Sequence, residues 1–188
     1  MKFQGAEATV EINGNVTKTR QRKKYRHENL DDRIRKERTS KEADLMKKAG
    51  RAGVNVPKIL KTEEYRLVME KIESSKLKEV PDREKMEKMG EQVAKLHSKN
   101  IIHGDLTTSN AVTSDQRVFL IDFGLASRSE RTEDKAVDLH LLKNILESSH
   151  SDSYRELWNG FLDGYRSYEK SDKVEEVLKE VEKRGRYK

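Results

Sequence analysis

Two short stretches constrain this chain more than anything else in it. "HGDLTTSN" occupies 103–110 and "IDFG" occupies 121–124. Each places an acid among turn-forming or small polar residues, directly after aliphatic ones: Ile101-Ile102 before the first, Val118 to Ile121 around the second. Between the acids, 111–113 and 117–121 read as two short β stretches. The pattern is therefore a loop holding Asp105 and Asn110, a small hairpin, and a second loop holding Asp122. An idle surface loop could carry such residues. A site that moves a phosphoryl group requires them, because that chemistry asks for positioning and for neutralisation of charge. In such a site Asp105 accepts the proton of an attacking hydroxyl or orients a water, Asn110 offers a neutral oxygen to magnesium, and Asp122 bridges magnesium to phosphate.

The rest of the chain divides into strands first and helices later. Residues 8–19 read as a hairpin, with Val10 and Ile12 alternating with polar residues and Asn13-Gly14 at the turn. A basic run follows (Arg20, Arg22, Lys23, Lys24 and Arg26), which reads as solvated surface. Residues 31–49 are helical, with Ile34, Arg38, Leu45 and Met46 at turn spacing, until "AGRAGVNVP" breaks the pattern. Two short strands fall within 58–72, the second over 65–72. Pro81-Asp82 opens a helix whose buried stripe is Met86, Met89, Val93 and Leu96. Three further helices are marked by Val137, Leu141, Leu142 and Ile145, by Tyr154 to Tyr165, and by Val174, Val177, Leu178 and Val181. This order predicts an α+β fold, and 188 residues suffice for one compact domain in two lobes.

Composition narrows the chemistry. With no cysteine, disulfides, zinc–thiolate sites and thiol nucleophiles are excluded. No apolar run approaches the roughly 20 residues of a membrane span, and "MKFQGAEATV" lacks the apolar stretch of a signal peptide, so a cytoplasmic protein with no membrane contact is expected. A net charge of +6 suits an anionic partner without naming it.

A loop with Asp and Asn, a hairpin and then Asp-Phe-Gly is the arrangement of protein kinase sites. The amino-terminal half should then supply a lysine on a strand and a glutamate on the next helix. "VTK" offers Lys18 for the α- and β-phosphates, and "RTSKEA" offers Glu42 to hold Lys18. "QGAEA" sits where a phosphate-covering loop belongs, giving Gly5, Ala6 and Glu7 as nucleotide contacts, although it has one glycine where such loops have several. Met69 would flank the adenine, with backbone groups of Glu70 and Ile72 bonding its edge.

Seven signatures appear in order: "QGAEA", "YRHENLD", "RTSKEA", "HGDLTTSN", "IDFGLA", "EDKAVDL" and "RGRYK". Together they resemble the small atypical kinase subunit of the KEOPS complex, which serves threonylcarbamoyladenosine modification of tRNA. The resemblance implies a reduced two-lobe protein-kinase-like fold, with a small antiparallel β-sheet in an N-lobe of about 1–72, a mostly helical C-lobe of about 73–182, and a basic tail at 183–188. It implies ATP and magnesium as ligands, ATPase and weak serine/threonine kinase activity, and contacts with the threonylcarbamoyl-transferase subunit and a small regulatory subunit. Under the kinase reading Asp138 is a buried anchor for the loop; His103 resembles a catalytic histidine but is expected to pack and hydrogen-bond beneath the loop. The tail residues Lys183, Arg184, Arg186 and Lys188 are expected to meet tRNA phosphates.

Departures from the kinase pattern sharpen the expectation. Gly104 replaces the arginine that reads a phosphorylated activation loop, Thr107 replaces the lysine that steadies the γ-phosphate, and no Ala-Pro-Glu follows Asp122. These losses favour hydrolysis or slow phosphotransfer within a complex over phosphorylation of free proteins. "HGDL" also occurs in small-molecule phosphotransferases and RIO-type kinases, and a scaffold with a regulatory nucleotide site is the alternative of another class. The few residues before "QGAEA" suggest a piece of a longer fusion.

Overall fold

The computed structural model describes residues 1–5 and 7–185, so the expected contacts Ala6, Arg186 and Lys188 lie outside the described residues. Five strands form an antiparallel sheet: β1 (Lys2–Gln4), β2 (Ala8–Asn13), β3 (Asn15–Arg20), β4 (Ile59–Thr62) and β5 (Arg66–Glu70), in the order β1-β2-β3-β5-β4. The β2–β3 hairpin turns at Gly14, whose φ of 68° is reached without steric cost by a residue lacking Cβ. Between β3 and β4 runs α1 (Glu28–Arg51), longer at its start than the 31–49 expected. Glu28 and Asp31 in the first turn and Lys48 and Arg51 in the last complement the helix dipole and extend it past the apolar pattern. Its buried side carries Glu42, Ala43, Leu45, Met46 and Ala49, whereas Ile34 and Arg38 are only half-buried.

The helical lobe begins after β6 (Ser75–Lys76) with α2 (Arg83–Ser98), whose first turn is capped where the Asp82 carboxylate accepts the N–H of Lys85 at 2.8 Å. Strand β7 (Ile101–Ile102) leads into the acidic loop, β8 (Ala111–Ser114) and β9 (Arg117–Leu120) form the expected hairpin, and β10 (Ser127–Arg128) returns to pair with β7. The strands β6, β7 and β10 are two residues each, too short to show alternation in sequence. Three helices complete the chain: α3 (Thr132–Ser149), α4 (Tyr154–Tyr165) and α5 (Ser171–Gly185). Helices α2 and α4 approach so closely that a Cβ on Gly164 would stand 1.9 Å from the Glu87 carbonyl oxygen. The aromatic stripe of α4, Trp158, Phe161 and Tyr165, stacks ring on ring within the core, with centroids 5.4 and 5.9 Å apart.

Two sequence expectations change. In α3 the buried face is Ala136, Leu139, Leu142 and Leu146, while Val137 is 49% exposed. Adjacent apolar pairs at 141–142 and 145–146 left two helix faces open, and the face that turns inward is the one that also carries Asp138. The helix α5 continues through Gly185, so Lys183 and Arg184 belong to a helix and not to a frayed tail. Arg184 is moreover engaged with Glu133 of α3 at 3.0 Å.

Candidate active site

Register on the sheet places the first half of the site. Lys18 of β3 lies opposite Val10 on β2 and Leu67 on β5, and its Nζ reaches Glu42 Oε1 of α1 at 2.7 Å. Two residues on, and so on the same face of the strand, Arg20 Nη2 donates to Glu42 Oε2 at 2.6 Å. Arg20 is 5% exposed, which corrects the reading of the basic run as solvated surface at that position. The signal was available: β3 alternates, so a strand that turns Lys18 inward also turns Arg20 inward. Lys18 also donates to Asp122 Oδ1 at 2.7 Å, tying the sheet to the loop that follows β9.

The second half is built around a buried carboxylate. Asp138 of α3 accepts the backbone N–H of His103 at 2.6 Å and of Gly104 at 2.8 Å, and lies 3.3 Å from His97 Nε2. His97 in turn meets the Tyr165 hydroxyl through Nδ1 at 2.9 Å. His103 is fully buried, packs its ring on Phe123 at 5.0 Å, and approaches the Ile121 carbonyl through Nε2 at 3.1 Å. Gly104 has φ 77°, and a Cβ there would stand 2.4 Å from the Leu125 carbonyl oxygen. Within the loop, Asn110 Nδ2 donates to the Asp105 carbonyl at 2.9 Å and to its Oδ2 at 2.7 Å. That spends the amide nitrogen and leaves Oδ1 as the group that could face a cation.

Electrostatics follow from these contacts. Partial desolvation of the half-exposed Asp122 carboxyl pushes it up, but the Lys18 ammonium and the Gly124 N–H outweigh that and hold the group below its ordinary range. Burial drives the His97 imidazole below 6.5 despite the opposing Asp138 carboxylate. The folded imidazole therefore holds its proton less tightly than the unfolded one, so below its ordinary range the unfolded chain binds more protons and stability rises with pH. We expect the urea midpoint of unfolding to fall as pH drops below about 6.5. In His97→Gln that part of the slope should vanish. Parallel pH slopes in parent and variant, measured by circular dichroism, would refute the assignment.

Between sheet and loop lies a cleft of about 460 Å³, within the usual size of small-molecule sites. Its lining includes the apolar side chains of Val10, Ile12, Val16 and Met69 together with Lys18, Glu42, Asn110 and Asp122. Glu70 and Ile72 also line it. The Glu70 N–H is already donated to the Lys58 carbonyl at 2.9 Å, so that group is not free to bond a ligand edge. Gly5 and Glu7 are not among the residues lining the cleft. The Gly5 N–H closes onto the Ala8 carbonyl at 2.9 Å, and the Glu7 carboxylate is held by Arg38 of α1 at 2.7 Å. No cluster of three acids or histidines that could cage a metal occurs among the described residues. One carboxylate and one amide oxygen, beside room for phosphates, is a donor set that fits magnesium, which is held by one or two carboxylates and completed by phosphates and water.

Comparison with known proteins gives a consistent set of relatives. The RIO domain family matches residues 6–144. The KEOPS complex subunit Bud32 of Pyrococcus abyssi is 40% identical over 184 residues, covering 92% of this chain and 84% of that one. A probable serine/threonine-protein kinase BUD32 homolog of Archaeoglobus fulgidus is 40% identical over 186 residues, covering 98% and 95%. A probable bifunctional tRNA threonylcarbamoyladenosine biosynthesis protein of Methanospirillum hungatei is 44% identical over 187 residues, and this chain spans 35% of its length. Among solved structures, the Rio2 kinase from Chaetomium thermophilum aligns with all of this chain and 72% of its own, with a TM-score of 0.69 at 16% identity, which shows a common fold.

Proposed function

The chain belongs to the RIO-domain family, and from that premise we propose that it is an ATP- and magnesium-dependent atypical kinase or ATPase acting as the kinase-like subunit of a KEOPS complex. The observation that carries this reading is Lys18, which joins Glu42 of α1 and Asp122 of the second loop in one chain of contacts at 2.7 Å each. Such a lysine, held over an apolar cleft, suits the α- and β-phosphates of a nucleotide whose base lies against Met69. Asp122 and Asn110 would hold magnesium, which neutralises phosphate charge when bound. Asp105, which accepts from the Asn110 amide and is not itself among the residues lining the cleft, would orient a hydroxyl or a water and take its proton.

The form of the loop bears on regulation. At Gly104 an arginine side chain would have to enter a backbone with φ 77° and displace the Leu125 carbonyl. A phosphate-reading arginine therefore has no place there, which supports activity governed by complex partners in preference to loop phosphorylation. The partners we infer are the threonylcarbamoyl-transferase subunit, the small regulatory subunit and tRNA, in the cytoplasm. The proposed tRNA contact comprises Lys183 and Arg184 on α5, the latter in an exposed pair with Glu133, together with Arg186 and Lys188 outside the described residues.

Purified chain should turn over ATP in the presence of magnesium, and the transferase partner and tRNA should change the rate. No turnover, together with no calorimetric binding of a non-hydrolysable MgATP analogue in the presence of those partners, would remove the enzyme reading and leave a scaffold.

A further inference from the structure

Arg20 has no role in the site as derived so far, yet it occupies half of a carboxylate on which the site depends. Glu42 Oε1 takes Lys18 at 2.7 Å and Oε2 takes Arg20 at 2.6 Å. All three residues are more than nine-tenths buried, at 8%, 5% and 3% exposure for Lys18, Arg20 and Glu42. The arginine is fixed from both sides: it ends β3 opposite the small Ala8, and its backbone N–H donates to the Tyr65 carbonyl at 2.9 Å. Lys18 and Glu42 line the nucleotide cleft and Arg20 does not. Next to it the main chain at Gly124 passes so close that a Cβ would lie 3.2 Å from Lys18 Nζ and 3.6 Å from Arg20 Nη2.

Consider what an incoming phosphate does to such a cluster. An ammonium has three donors, and Lys18 already gives one to Glu42 and one to Asp122. Phosphate oxygens compete for the same charge. With Lys18 as its only partner, Glu42 would face a choice between losing its bond inside a dry site and leaving the cleft, and an uncompensated buried charge is costly. A second cation removes that conflict. The guanidinium cannot lose its proton and is not reached from the cleft, so it stays with Glu42 whatever Lys18 does.

We propose that Arg20 is a positioning residue for phosphoryl transfer: it holds Glu42, and through Glu42 the helix α1, against the cleft whether or not nucleotide is bound. This rests on the ATP-dependent reading of the site. Its consequence is that the inward position of α1 is built into the fold and is not acquired with each nucleotide.

The test compares the parent chain with Arg20→Gln and Arg20→Lys, each with and without a non-hydrolysable MgATP analogue. In the parent, hydrogen exchange of the amides at 39–46 should be equally slow in both states. In Arg20→Gln those amides should exchange faster without nucleotide and recover at saturation. Analogue affinity should drop on the order of tenfold, with KM for ATP rising to match and kcat staying within about threefold. Arg20→Lys, which keeps a charge but loses the planar fork, should fall between parent and Arg20→Gln in affinity. The inference is overturned if Arg20→Gln binds the analogue like the parent. It is equally overturned if exchange rises throughout the helical lobe and nucleotide does not restore α1, since that pattern marks general destabilisation. A parent chain that binds no analogue would end both this inference and the reading of the site; a parent that binds, with unaltered variants, would end this inference alone.

Discussion

Asp122→Ala and Asp105→Ala should each lower ATP turnover by about 10²–10⁴-fold, but only Asp122→Ala should weaken nucleotide binding. The difference follows from what each carboxylate touches. Asp122 shares Lys18 with Glu42, and its second oxygen, Oδ2, has no hydrogen-bond partner among the described residues, so under the proposed reading it is the carboxylate that would bring magnesium to the phosphates. Among the described residues Asp105 meets no cation; its contact is the Asn110 amide, which also bonds the Asp105 carbonyl and keeps that bond in the alanine variant. Neither change should cost much stability. The Asp122 side chain is half-exposed, where an ion pair contributes little, and Lys18 retains Glu42. Calorimetric titration with a non-hydrolysable analogue, with and without magnesium, separates the two roles. Equal loss of magnesium-dependent affinity in both variants would overturn the assignment.

How far the sequence carried the fold can be judged residue by residue. The two acidic loops and the hairpin between them were legible because acids, turn formers and aliphatic runs alternate over very short distances there. The strand-then-helix order gave the α+β class, which the likeness to Rio2 kinase shows. Lys18 and Glu42 were found through their place in a resemblance; a lysine and a glutamate in this sequence, where 39% of residues are charged, carry no signal of their own. Arg20 was lost for the same reason. Composition made 20–26 look like one solvated run, whereas the strand ends inside it, so its first member is buried and Lys24 and Tyr25 are exposed. His97 and Tyr165 lie 68 positions apart and meet only because α2 and α4 touch at glycines. Pairings of that kind depend on helix packing, which no local pattern records. Which α3 face turns inward was not legible from its apolar residues, and that face also carries Asp138, a polar residue whose partners lie in another segment.

Gly104→Arg, which introduces the residue that most protein kinases carry at the matching place before their catalytic aspartate, should inactivate the protein. The position fails an arginine on two independent grounds. Its φ of 77° costs an L side chain roughly 1–2 kcal/mol. Its Cβ would also stand 2.4 Å from the Leu125 carbonyl oxygen, a backbone atom that cannot swing aside as a side-chain end can. Relieving that overlap means moving the 104 segment away from the 122–126 segment, and overpacking of this kind costs about 1–3 kcal/mol more. Either shift strains the bond from the Gly104 N–H to Asp138, and with it the loop that carries Asp105 and Asn110. The melting temperature should fall by about 4–20 °C, and turnover should fall by about 10²-fold or more, since misplacement by an ångström is enough for that. Gly104→Ala separates the causes: it has the Cβ and no guanidinium, so it should show most of both losses. A Gly104→Ala protein with parental melting and turnover would show that the backbone tolerates a side chain there. The reason for glycine would then lie in the missing charge and not in the approach of the two loops.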